Sequence, residues 1–119
     1  MKTVFIVDDN ETNRVVAKTA LENTYTTYAI PSAERMFSLM EKIIPDLILL
    51  DVDMPDMNGF ETIKILKSKP ETKDIPVVFL TASTVSEDRF EGLFLGAVDY
   101  ISKPFPPNML LQRVSRNIK

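Results

Sequence analysis

Three acids and one amine stand where strand-like runs of this sequence end. Asp8 and Asp9 follow Thr3–Val7, Asp51 follows Leu47–Leu50, and Lys103 follows Val98–Ser102. A hydroxyl and a small residue, Thr81 and Ala82, follow Ile75–Leu80. If these runs are adjacent strands, three carboxylates share a crevice with one lysine. Carboxylates about 5 Å apart, at an effective dielectric of about 20, repel by roughly 3 kcal/mol per pair. Such a group must protonate, pair with Lys103 or recruit a cation. All-oxygen ligation favours Mg²⁺, with Mn²⁺ as the alternative, over zinc. A carboxylate beside a divalent metal is a competent nucleophile toward a phosphoryl group. The metal and Lys103 would neutralise charge on the transferring oxygens. Thr81 offers a hydroxyl to the same group, and Ala82 leaves it room.

The chain contains no histidine and no cysteine. Ser-His-Asp catalysis, imidazole ligation, thiolate metal sites and disulfides are therefore excluded within it. Asp8-Asp9 in the first turn also opposes dinucleotide or flavin phosphate binding, which needs a glycine- or hydroxyl-rich turn. A net charge of −3 argues against direct nucleic-acid binding. No apolar stretch reaches membrane-spanning length. The start, Met1-Lys2-Thr3, enters a strand directly, with no signal peptide, so the expected location is cytoplasmic.

The elements that must position these groups alternate. Leu47–Leu50 is unbroken apolar and bounded by Pro45 and Pro55, the pattern of a strand buried on both faces. Thr3–Val7, Tyr25–Ile30, Ile75–Leu80 and Val98–Ser102 read as the other strands. Helical stripes predict helices from about Glu11 to Asn23, with Asn10 as N-cap, and from Ser32 to about Ile43. Further helices are expected from Phe60 to about Ser68, from Ser86 to about Leu95 with Gly96 as a left-handed cap, and after Pro107. With 119 residues and five strand–helix repeats, the expectation is one α/β domain over residues 1–119. It would be a doubly wound, flavodoxin-like (βα)5 domain with a parallel sheet of order 2-1-3-4-5 and helices on both faces. That order sets the ends of strands one and three side by side.

Five motifs appear in order: Asp8-Asp9; Asp51 with Met54-Pro55-x-Met57-x-Gly59; Thr81-Ala82; Gly96-Ala97-x-Asp99-Tyr100; and Lys103-Pro104-Phe105. Together they resemble the signature of the response-regulator receiver domain of two-component signalling, across essentially the whole chain. The resemblance implies that Asp51 is the phosphoacceptor. Asp8, Asp9 and Asp51 would ligate Mg²⁺ with the backbone carbonyl of Asp53. Thr81, Ala82 and Lys103 would hold the phosphoryl group, Thr81 and Tyr100 would form the switch, and Lys103-Pro104 would be a cis peptide. It also implies a partner that supplies the phosphoryl group, either a sensor histidine kinase or a histidine phosphotransfer protein. The signal would pass to a downstream protein or a fused output domain, and no output domain is read in these residues. The surface of the helix over 86–95, the fifth strand and the last helix would change shape, and it offers a homodimer contact. Phe90 and Phe94, with Leu93, would supply its apolar patch. Such a domain is a switch, not an enzyme; it catalyses only its own phosphorylation and dephosphorylation.

Plainer readings stand beside these. Asp8-Asp9 also suits a helix N-terminus, Tyr100 also suits simple packing, and the Phe90–Phe94 stripe also suits a core. Two other functions fit part of the pattern. Leu50-Asp51-Val52-Asp53 resembles the nucleophile motif of haloacid-dehalogenase-like phosphatases, although that family places it on the first strand. A pseudo-receiver would bind a partner without phosphoryl chemistry, against the intact acidic set and Lys103.

Overall fold

Two of the three central strands carry no polar side chain before their last residue, and the third only at its first, Thr3; that decides where they lie. Residues 1–82 and 95–118 are described by a computed structural model. Strand β1 (Thr3–Val7) is followed by α1 (Glu11–Leu21), β2 (Thr26–Ile30), α2 (Ala33–Met40), β3 (Leu47–Asp51), α3 (Gly59–Lys67), β4 (Val77–Thr81) and β5 (Asp99–Ser102). A C-terminal helix, α4 (Pro107–Asn117), closes the fold. All strand pairs are parallel, as the alternation predicts, and their order is the expected β2-β1-β3-β4-β5. The helix expected over 86–95, with Phe90, Leu93 and Phe94, lies outside the described residues apart from Leu95.

Every residue of β3 and β4 is buried. Their side chains alternate between two cores, as the pleat requires. Phe5, Val7, Ile48, Leu50, Val77 and Phe79 face α2 and α3, where Met36, Ile63 and Leu66 meet them. Val4, Ile6, Leu47, Leu49, Val78 and Leu80 face α1 and α4, against Ala17, Leu21, Leu110 and Val114. Tyr25, expected at the start of the second strand, instead precedes it. Its buried ring lies in the second core, and its hydroxyl meets Ser115 Oγ of α4 at 3.0 Å.

Two boundaries differ from expectation for reasons the prolines supply. Helix α2 ends at Met40 rather than Ile43. Its last turn tightens, with Glu41 and Lys42 N–H donating three residues back, because Pro45 holds Ile44 out of helical geometry. Strand β4 begins at Val77 rather than Ile75. Pro76 has no N–H to give the ladder, and only its carbonyl is used, by Ile48 N–H at 3.0 Å.

Asn10 caps α1 by accepting from Asn13 N–H. Asn58 and Glu61 form a reciprocal capping box on α3. Gly96 takes φ +107°, the left-handed geometry expected of it.

Candidate functional site

Register brings the acids together. Val7 pairs with Leu50, so one residue further along, Asp8 and Asp51 lie side by side at the strand ends. This is the point where strand order reverses, the place open α/β sheets leave a crevice. Carboxylate oxygens of Asp8, Asp9 and Asp51 all lie within 4.8 Å of one another. Asp8 and Asp51 are 0% and 1% exposed, whereas Asp9 faces solvent.

Lys103 arrives from the far edge. Thr81 of β4 pairs with Ser102 of β5, and Lys103 N–H donates to Thr81 O at 2.8 Å. The Lys103 side chain then reaches back to the acids, with Nζ 2.9 Å from Asp51 Oδ1 and 3.0 Å from Asp8 Oδ2. The Lys103–Pro104 peptide bond is cis. Thr81 is buried at the end of β4, next to β3, and Ala82 follows it exposed.

Backbone donors fix both buried carboxylates. Asn10 N–H donates to Asp8 Oδ1 at 2.9 Å, and Asp53 N–H donates to Asp51 Oδ1 at 3.1 Å. The contact from Lys103 Nζ to Asp8 Oδ2 is an ion pair out of line for a hydrogen bond, so this buried oxygen has no aligned donor. An anionic buried oxygen with an ion pair but no aligned donor is incompletely satisfied. A small divalent cation would satisfy it together with the Asp9 and Asp51 oxygens, so the residues present fit such an ion.

The charges perturb one another. Burial pushes the Asp51 carboxyl up to about 7; the Lys103 bond opposes that, and the nearby Asp8 charge adds to it. Burial alone would lower the Lys103 ammonium, but its hydrogen bond to Asp51 and its ion pair with Asp8 raise it, and it stays charged. A metal would favour the charged Asp51 by the same electrostatics.

Two further features shape the site from outside it. Gly59 opens α3 directly beneath the phosphoacceptor candidate. A Cβ there would lie 2.6 Å from Asp51 O and 2.9 Å from Val52 Cα, so only glycine lets the helix start so close. Tyr100 is half-buried two residues before the end of β5. Its ring lies 5.6 Å from that of Phe79, which meets Phe60 of α3 edge-on at 5.4 Å.

The sequence matches the response regulator receiver domain family over residues 4–115. The chain belongs to that family. This receiver domain is 38% identical over 117 residues to a probable cyclic di-GMP phosphodiesterase of Vibrio cholerae, covering 98% of this chain and 26% of that protein. It is 39% identical over 114 residues to the phosphate regulon transcriptional regulatory protein PhoB of Klebsiella pneumoniae, covering 95% and 50% respectively. The solved structure of V. cholerae chemotaxis protein CheY4 superposes with a TM-score of 0.93 at 31% identity, over 99% of each chain. The receiver domain thus spans a quarter to a half of the length of these two curated relatives.

Sequence reading missed some residues that hold this receiver domain's site. Arg14 on α1 donates to the Asp8 carbonyl at 2.8 Å. Its position six residues after Asp8 carries no signal until a helix folds it back. Asp99, read only as part of a motif, accepts from Arg113 Nη1 at 2.7 Å, Arg116 Nη2 at 2.9 Å and Asn117 Nδ2 at 2.9 Å. Arg113 also donates to the Tyr100 carbonyl at 3.0 Å, and Tyr100 N–H donates to Asp99 Oδ1 at 2.8 Å. The backbone on both sides of the Tyr100 ring is therefore tied to α4. Burial alone would raise the Asp99 carboxyl; the Tyr100 N–H, the Asn117 amide and the two arginines overcome it and hold it below the usual range. Among the described residues no helix is long and apolar enough to cross a membrane.

Proposed function

We propose that this receiver domain is a switch that takes a phosphoryl group onto Asp51 from a phosphohistidine of a sensor histidine kinase or a histidine phosphotransfer protein. The observation that carries the reading is the meeting of Asp8, Asp9, Asp51 and Lys103 at one point. An Asp51 carboxylate oxygen attacks phosphorus in line. The P–N bond breaks as the P–O bond forms, and the electron pair leaves on the imidazole nitrogen, which takes up a proton. Oδ1 is held by Lys103 and by Asp53 N–H, so Oδ2 is the attacking atom. Asp8, Asp9, Asp51 and the Asp53 carbonyl hold Mg²⁺, or Mn²⁺ in its place. The ion supplies charge neutralisation on the transferring oxygens.

Lys103 then follows the phosphoryl oxygens, and the Thr81 hydroxyl and the space beside Ala82 receive them. The inward pull on Thr81 lets the Tyr100 ring turn further in, over Phe79, while Arg113 and Asp99 hold its backbone. The altered surface of the segment over 86–95, β5 and α4 controls a downstream protein or a fused output domain, or pairs two copies. The phosphoryl group must favour the active state by a few kcal/mol to invert the populations. Charge-assisted hydrogen bonds are strong enough for that.

Incubation with acetyl phosphate and Mg²⁺ should add one acid-labile phosphoryl group per chain by mass spectrometry. Asp51→Asn and removal of the metal should each abolish it. Labelling that persists in Asp51→Asn would reject the assignment.

A further inference from the structure

A cavity of about 730 Å³ opens between α2, the turn after β3 and the loop after α3, and none of Asp8, Asp9, Asp51, Thr81 or Lys103 lines it. Its apolar wall includes Phe37 and Met57, both packed on the core, and Ile44, which is 50% exposed. Its rim is acidic. Glu34, Glu41, Asp56 and Glu71 are all exposed there, and among the described residues none of them has a lysine or arginine at ion-pair distance. Asp56 is set in this rim by a left-handed backbone, φ +68°. Arg35 and Lys42, on the same stretch of chain, line a separate hollow beside β2 and do not offset these acids.

One cation does enter the groove. Lys69 Nζ lies 5.5 Å from the centroid of the Phe37 ring. The chain's own lysine thus shows what this wall accepts: an ammonium over an aromatic face, amid carboxylates. Four acids against one lysine leave the rim short of three positive charges.

We propose that this groove docks an amphipathic helix of a partner protein. Its apolar residues would lie against Phe37, Met57 and Ile44, and its lysines or arginines would face the acidic rim. Grooves of this kind read apolar anchors spaced at i, i+3 and i+4, and charge complementarity sets register and partner choice. The surface is separate from the phosphoryl site, and the inference stands whether or not Asp51 is phosphorylated.

The test is an ¹⁵N NMR titration of the whole chain with a 14-residue peptide of leucine and lysine patterned to form one apolar helix face. Shifts should gather at residues 34–44, 55–57 and 69–72. A peptide of the same composition with its leucines scattered, and one with glutamate replacing lysine, should bind at least about tenfold more weakly. The triple variant Glu34→Gln, Glu41→Gln, Glu71→Gln should lose about tenfold in affinity, while keeping its far-ultraviolet circular dichroism and its acetyl phosphate labelling. Shifts centred elsewhere, equal binding of the scattered peptide, or unchanged affinity in the triple variant would each overturn the proposal. Because labelling of Asp51 is read in the same samples, failure of the groove and failure of the phosphoacceptor assignment give different results.

Discussion

On the proposed reading a single residue, Asp51, carries most of the chemistry, and its burial makes it a liability in the metal-free protein. Its carboxyl is raised to about 7, first by burial and then by Asp8, against the pull of Lys103. An acid whose folded-state pKa lies above its unfolded value, about 4, weakens folding as pH rises between the two values. The loss is complete above about 7. Asp51→Asn removes it and leaves Lys103 paired with Asp8. In EDTA, the variant should therefore exceed the wild type in unfolding free energy, read from urea titrations, by a few kcal/mol at pH 8 and match it near pH 4. Equal free energies at both pH values would mean that Asp51 is not held in a low-dielectric site.

Elements decide whether these residues meet. Helix α3 starts against the end of β3, and Gly59 permits the contact. Gly59→Ala sets a methyl 2.6 Å from Asp51 O, so α3 must move. The expected loss is about 1–3 kcal/mol by chemical denaturation, with slower acetyl phosphate labelling of Asp51. Unaltered stability and labelling would show that α3 has slack there. At the other edge, Asp99 binds β5 to α4. Its carboxyl is held low, so its contribution is present above the unfolded aspartate value and is lost as pH falls through the folded one. Asp99 is 13% exposed but Arg116 is 65% exposed, and solvent discounts that pair. Asp99→Asn should cost about 1 kcal/mol at pH 7, and the difference from wild type should shrink as pH drops below about 4. A gap that is constant from pH 7 to pH 3 would remove the ionic explanation.

For the whole molecule, a divalent ion held by the acidic cluster would couple folding to metal concentration. A ligand that binds only the folded state at one hundred times its dissociation constant stabilises by about 2.7 kcal/mol. For a domain of this size that is ~10 °C in Tm. Mg²⁺ at one hundred times its dissociation constant should raise Tm in a calorimetric scan by about this amount. Asp9→Asn, a change at an exposed position that leaves the core intact, should remove most of the shift. A shift that survives in Asp9→Asn would place the ion elsewhere.

Much of this was legible beforehand, because apolar periodicity and strand-end chemistry are local. Leu47–Leu50 and Ile75–Leu80 read as buried strands from their runs alone, and the alternation of elements predicted a doubly wound parallel sheet. The acids, Thr81 and Lys103 were placed as strand-end groups for the same reason. Local pattern did not reveal Arg14 on the Asp8 carbonyl, Arg113 bracing Tyr100, the fit of Gly59 under Asp51, or the groove beside Phe37. Each depends on side chains from separate elements meeting, and those distances are set by helix orientation and packing. Sequence alone settled which groups end each strand; tertiary structure decided which of them touch, because register and helix placement are collective properties of the packed core.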